Sequence, residues 1–246
     1  MINLLTSGLF SLPKNSSKEN QDSILLPKPL DDGFIMAVAD GVGSYIGAKQ
    51  ASQAAVDYLS NIISSSQLAD MNNVFSSIKE KVSELSFQNT EFFQAATTLT
   101  FCYIDSTSLR IGHIGDSRLY FKSGNKLRLL TKDHTQHQKL LDDKIFNRAE
   151  LKLMSGKNTL TTAISKPINL EYQEISLPLD EVTDEQGIVT IFLMSDGAHH
   201  SWEKRPRFSS NTLNNPIRFA GSLQNRIEKS IPTDDYTLLA AGFRVR

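Results

Sequence analysis

Apolar positions along the chain fall into three patterns. Residues 34–39 are a short continuous apolar run and 188–194 a second one broken only by Thr190; the first stops at Asp40-Gly41 and the second at Ser195-Asp196-Gly197. Runs of this length, bounded by turn residues, read as buried strands. In residues 45–63, Ala51, Ala55, Tyr58, Leu59 and Ile62 recur at helical spacing, and in residues 71–88 Val74, Ile78, Val82 and Leu85 do the same. Both segments predict amphipathic helices. Period-two alternation follows. Leu99, Phe101 and Tyr103 share one face over 97–104, and Leu109, Ile111 and His113 share one over 109–115. Segments 118–122 and 127–130, joined by Ser123-Gly124-Asn125, continue a set of antiparallel hairpins. Further helices are predicted over 134–156, with Gly156 as the stop, and over 215–229, with a last strand over 236–245. Residues 198–214, where Lys204, Arg205, Pro206 and Arg207 sit among polar neighbours, read as a loop or insertion. Helices, then strands, then helices predict an α+β layered sandwich of antiparallel sheets rather than a parallel βαβ fold.

Composition narrows the picture. The 246 residues suit one domain with a sizeable core, and no repeat or low-complexity linker divides them, so 1–246 reads as a single domain. The formal net charge is -1 and no Lys/Arg run is present, so nothing favours nucleic acid or an anionic membrane. Cys102 is the single cysteine, which excludes an intramolecular disulfide and a thiolate zinc site. Its place in an alternating strand reads as a buried small residue. The first residues lack a basic, apolar leader pattern, and no stretch approaches the ~20 apolar residues of a membrane helix. The expected compartment is the cytoplasm, and the oligomeric state stays open.

The chemistry lies in aspartates at strand ends and turns: Asp22, Asp40, Asp116, Asp196 and Asp234. One Asp-Gly pair alone is a turn signal. Five such carboxylates aimed at one point repel unless a positive charge lies between them, and hard divalent cations are the usual solution. Two cations ~3.5–4 Å apart suit in-line attack on phosphorus.

The ordered set Asn20-Gln21-Asp22-Ser23, Val38-Ala39-Asp40-Gly41-Val42-Gly43, Ala96-Thr97-Thr98-Leu99, Gly112-His113-Ile114-Gly115-Asp116-Ser117-Arg118, Leu130-Thr131-Lys132-Asp133-His134-Thr135, Leu193-Met194-Ser195-Asp196-Gly197 and Asp234-Asp235-Tyr236-Thr237 carries a resemblance. It resembles the metal-dependent serine/threonine protein phosphatases, the PPM or type 2C family, in their compact bacterial form. The resemblance implies a four-layer αββα sandwich of two antiparallel sheets flanked by helices, with metals in a cleft at one edge. It implies hydrolysis of phosphoserine and phosphothreonine in proteins by metal-activated water. Asp40 would bridge two Mg²⁺ or Mn²⁺ ions, Asp196 and Asp234 completing one, Asp22 and the Gly41 carbonyl serving the other. Asp22 and Asp40 would act in catalysis through water on the ions, and Asp116, with Asp196, would reach a third, weaker ion. The partners implied are a phosphorylated protein and an opposing serine/threonine kinase.

The chain departs from the family pattern in places. The position five before Asp22, where relatives carry a phosphate-holding arginine, is Ser17, and the adjacent Lys18 is the candidate to replace it. Asp235 stands where relatives carry asparagine, adding a negative charge near the metals. His199 and His200 follow Asp196 closely and are candidates to approach the phosphate, beside a plainer reading as capping or exposed residues. Arg118 reads as a structural salt-bridge residue. A catalytically weak phosphatase-like binding module, and a phosphatase of a small metabolite, are the alternatives.

Overall fold

The computed structural model describes residues 2–151 and 154–245. In chain order the elements are β1 (Ile2–Leu12), β2 (Asp22–Leu30), β3 (Gly33–Asp40), α1 (Ala48–Ser60), α2 (Met71–Gln88), β4 (Ala96–Thr97), β5 (Leu99–Ile104), β6 (Ser108–Ile114), β7 (Arg118–Ser123) and β8 (Lys126–Leu129). There follow α3 (Gln136–Asp142), α4 (Arg148–Leu151), β9 (Ile164–Ser165), β10 (Gln173–Pro178), β11 (Ile188–Met194), α5 (Asp196–Lys204), α6 (Ser210–Leu213), α7 (Pro216–Lys229) and β12 (Tyr236–Val245). Two five-stranded sheets run β1-β12-β11-β7-β8 and β10-β6-β5-β3-β2, and β4 pairs with β9. Every strand pairing is antiparallel.

The apolar runs are explained by burial on both faces. Along β3, Ile35, Ala37 and Ala39 pack with Ala51, Ala55, Phe75 and Ile78 of α1 and α2. Met36 and Val38 face the other way, into a core with Ile191, Leu193, Leu239 and Phe243 of the opposite sheet. Along β11, Phe192 and Met194 pack with Trp202, Phe219 and Leu223 of α5 and α7. Three apolar layers therefore separate helix, sheet, sheet and helix, the predicted αββα sandwich. Cys102 is fully buried in the middle layer.

Several boundaries differ from the sequence reading. The first helix begins at Ala48 rather than at residue 45, because Gly47 holds a left-handed φ of 87°. The helix predicted over 134–156 is two short pieces, α3 and α4, and Lys144 at φ 55° breaks the chain between them. Residues 152–153 of that prediction lie outside the described residues. Residues 198–214 are mostly helical rather than a loop: α5 runs to Lys204 and buries Ala198, His199 and Trp202 along one face, and α6 follows. Strands β1, β2 and β10 were not legible. Among the described residues, no helix is long and apolar enough to cross a membrane.

Candidate metal centre

The ends of both sheets meet at one edge of the sandwich. Asp22 opens β2 and Asp40 closes β3, and the two are cross-strand partners. Asp196 is the first residue of α5, directly after β11, and Asp234 precedes β12, the neighbour of β11. Asp116 lies in the turn between β6 and β7. Asp40, Gly41, Asp116, Asp196 and Asp234 line one cavity of about 260 Å³, together with Lys14, Ser44 and Asn158. Asp22 is only 2 % exposed.

Short-range contacts fix these turns. The Asp40 carbonyl accepts from the Thr98 N–H at 2.8 Å and the Thr97 hydroxyl at 3.0 Å. Gly115 holds a φ of 103°, a conformation open to glycine and strained for other residues. Its N–H donates to His134 Nδ1 at 3.0 Å and its carbonyl accepts from the His134 N–H at 2.7 Å. That leaves Nε2 as the protonated ring nitrogen of a neutral His134. A Cβ on Gly197 would collide with the Asp235 carbonyl, so only glycine lets α5 start this close to the Asp234-Asp235 turn.

The carboxylates strain against one another. Burial, then the charges of Asp22, Asp196, Asp116 and Asp234, push Asp40 well above the usual carboxylate range. Burial, then Asp116, Asp234 and Asp22, do the same to Asp196. Burial lifts Asp116 to about 7, with Asp133 adding to the rise. Burial lifts Asp22 to about 6 against hydrogen bonds from Thr237 and Ser195. Asp22 Oδ2 accepts from Ser195 Oγ at 2.8 Å, and that Oγ accepts from the Thr237 N–H at 2.9 Å. Asp22 Oδ1 is buried with no hydrogen-bond partner among the described residues, a costly arrangement without a donor or cation nearby.

These features fit hard cations. The donors are all oxygen, mutually repelling, and include an orphaned buried carboxylate oxygen. Among the described residues, no three His, Cys, Asp or Glu side chains are close enough to hold one ion by themselves. The set therefore suits Mg²⁺ or Mn²⁺ completed by water and backbone carbonyls, Mg²⁺ in particular keeping several waters and few direct carboxylates.

Lys18 does not line this cavity. The segment before it folds into a turn, with Lys18 N–H donating to the Asn15 carbonyl at 3.2 Å, and Lys18 lines a separate small pocket. The cation at the metal cavity is Lys14, whose Nζ stands 3.9 Å from Asp234 Oδ1. The fixed spacing from Asp22 concealed it; a lysine at the end of the first strand was the available signal. Arg118 pairs with Asp133 at 2.6 Å and with Glu203. His199 is buried, donates through Nε2 to the Asp116 carbonyl at 3.1 Å, and has no partner for Nδ1 among the described residues. Burial keeps both His199 and His200 below the usual histidine range and hence neutral.

Comparison with known proteins agrees with this geometry. The family model described as Protein phosphatase 2C matches residues 14–228. The chain is 26% identical over 186 residues to the serine/threonine phosphatase stp of Listeria welshimeri, covering 72% of this chain and 71% of that protein. It superposes on the serine/threonine phosphatase Stp1 from Staphylococcus aureus with a TM-score of 0.79, at 17% identity, over 97% of this chain and 95% of the other. It superposes on the catalytic domain of the phosphatase PstP, in complex with two manganese ions, with a TM-score of 0.74 at 20% identity, over 99% and 100% of the chains. The chain belongs to the protein phosphatase 2C family and is a metal-dependent serine/threonine phosphoprotein phosphatase of the bacterial type.

Proposed function

We propose that Asp40, Asp196 and Asp234, with Asp22 and the Gly41 carbonyl, hold two Mg²⁺ or Mn²⁺ ions, that Asp116 with Asp196 serves a third, weaker one, and that Lys14 holds the substrate phosphate. The observation that carries this reading is the convergence of aspartates from four separate places in the chain around one cavity beside a lysine, with the buried Asp22 close enough to act on Asp40. When bound there, such ions supply Lewis acidity toward phosphate oxygens and lower the pKa of water. The chain's own residues do the positioning. Lys14 attracts and orients the phosphate as a point charge, without the bidentate grip of an arginine. Asp22 Oδ1, which has no protein donor among the described residues, accepts a hydrogen bond or a proton from water at the site. His199 braces the Asp116 turn by donating from Nε2 to the Asp116 backbone carbonyl.

The non-catalytic alternative rests on Ser17 in the arginine position, the 198–214 segment and Asp235, and Lys14 in the cavity lining answers the first of these. The substrate side is a phosphorylated protein, which a serine/threonine kinase must generate, and we place both in the cytoplasm. The test is turnover of p-nitrophenyl phosphate and a phosphothreonine peptide with Mn²⁺. EDTA should abolish it, and Asp40→Ala or Asp196→Ala should lower kcat at least about 100-fold. Lys14→Ala should raise KM about tenfold and Lys18→Ala should not. Activity that persists in EDTA, or a larger KM effect from Lys18 than from Lys14, overturns the assignment.

A further inference from the structure

A second and larger cavity, about 660 Å³, adjoins the metal cavity and shares Asp116 and Asn158 with it. One wall is the segment between Thr135 and Leu160, which bridge to each other as an isolated antiparallel pair. This segment is tied down at its base. Gln136 N–H donates to the Thr159 carbonyl at 2.9 Å, Thr161 N–H to the His134 carbonyl at 2.9 Å, and His137 Nε2 to the Ser155 carbonyl at 3.0 Å. The facing wall is α5, through His199, His200 and Glu203.

The charges on the two walls differ. Arg118 is taken up by Asp133 and Glu203, Asp116 belongs to the metal centre, and His199 and His200 are neutral. Arg148 and Lys157 also line the cavity. Among the described residues, neither has a carboxylate within ion-pair distance. Both stand on the 135–160 wall, above apolar Leu141, Leu151 and Met154. The volume lies within the ~300–1,000 Å³ of ligand pockets, and the metal cavity next to it has room for little more than a phosphorylated side chain. Because the two cavities share Asp116 and Asn158, a polypeptide whose phosphate sits among the aspartates can lay neighbouring residues across Asn158 into this second cavity.

We propose that this cavity is a recognition subsite for an acidic side chain close in sequence to the phosphorylated residue, held by Arg148 and Lys157, so that the enzyme prefers phosphoproteins with acidic flanks. The inference rests on the protein-phosphatase reading above. The test uses the full chain with Mn²⁺ and three phosphothreonine peptides that differ only in carrying Glu, Leu or Lys at the flanking positions, with p-nitrophenyl phosphate in parallel. The Glu peptide should show a kcat/KM about fivefold above the Leu peptide and further above the Lys peptide. That advantage should shrink at about 1 M salt, where the Debye length is about 3 Å. The double variant R148E/K157E should reverse the order of the Glu and Lys peptides and leave p-nitrophenyl phosphate turnover unchanged, which also shows that it folds. A Leu peptide equal to or better than the Glu peptide, or an order unchanged in R148E/K157E, overturns the subsite alone. Absence of p-nitrophenyl phosphate turnover in the wild type overturns the phosphatase assignment, and the subsite with it.

Discussion

At the scale of single residues, Asp235 changes meaning between sequence and structure. In the sequence it is an extra negative charge next to a metal ligand. In the fold it is buried, and its two oxygens accept from the Lys14 N–H at 2.9 Å and the Gln21 N–H at 2.7 Å. One carboxylate thus pins both ends of the loop between β1 and β2, and Lys14 faces the metal cavity because of it. Asparagine offers one acceptor oxygen where aspartate offers two. Asp235→Asn should therefore raise KM for p-nitrophenyl phosphate several-fold while kcat stays within about twofold. Asp235→Ala should also cost about 1–3 kcal/mol of stability, since two part-buried N–H groups lose their acceptor. Steady-state kinetics and urea unfolding read both effects, and an unchanged KM in Asp235→Asn would show that the loop does not place Lys14. The clustered aspartates were legible because each sits at a sharp strand end or turn in a recognisable order. Lys14 was not, because it lies eight residues before Asp22, on the far side of the turn closed by Lys18 N–H on the Asn15 carbonyl, rather than at the expected spacing of five.

At the scale of elements, legibility followed burial. β3 and β11 are covered on both faces and stood out as apolar runs. β2 lies at a sheet edge, carries Pro27 and Pro29, and slips register between Leu25 and Lys28, and edge position is where proline is tolerated in a sheet. β1 is also an edge strand, with Leu5 and Leu9 exposed, so its pattern lacks a clean alternation. α5 was hidden by its many charged and polar residues, yet Trp202 packs against Phe208 and Phe219 with ring centroids 5.5 and 5.3 Å away. That packing fixes the helix whose first residue is Asp196. Trp202→Ala should cost about 3–5 kcal/mol by opening a cavity in this layer, and it should weaken Mn²⁺ binding as the start of α5 loosens. Denaturant unfolding measures the first and calorimetric titration the second. A loss below about 1 kcal/mol would mean that α5 is held in place by something other than its tryptophan.

At the scale of the whole molecule, the aspartate cluster proposed to hold the metals joins the two sheets. Asp22 and Asp40 come from strands of one sheet, and Asp196 and Asp234 flank strands of the other. Without cations, folding buries Asp22, Asp40, Asp116 and Asp196 among negative charges, and burial first, then that repulsion, lifts their folded values above the 3.8 of the unfolded chain. A carboxyl with a raised folded value favours the folded state only while it is neutral. Its contribution is complete below the unfolded value and is lost as pH rises through the folded one, about 6 for Asp22 and about 7 for Asp116. Metal-free protein should therefore lose thermal stability between about pH 5 and about pH 8, and Asp40→Asn, which removes a charge repelled by Asp22, Asp196, Asp116 and Asp234, should lose less. Cations act in the opposite sense, because they bind the ionised carboxylates of the folded state and stabilise it by mass action. Saturating Mn²⁺ should raise the wild-type Tm by more at about pH 8 than at about pH 5, where protons compete for the same oxygens, and Asp40→Asn should erase most of that gain. Scanning calorimetry with EDTA and with Mn²⁺ at both pH values reads every arm of this prediction. A Mn²⁺-induced Tm gain equal at the two pH values, or equal in wild type and Asp40→Asn, would mean that the aspartate cluster is not where the cations act.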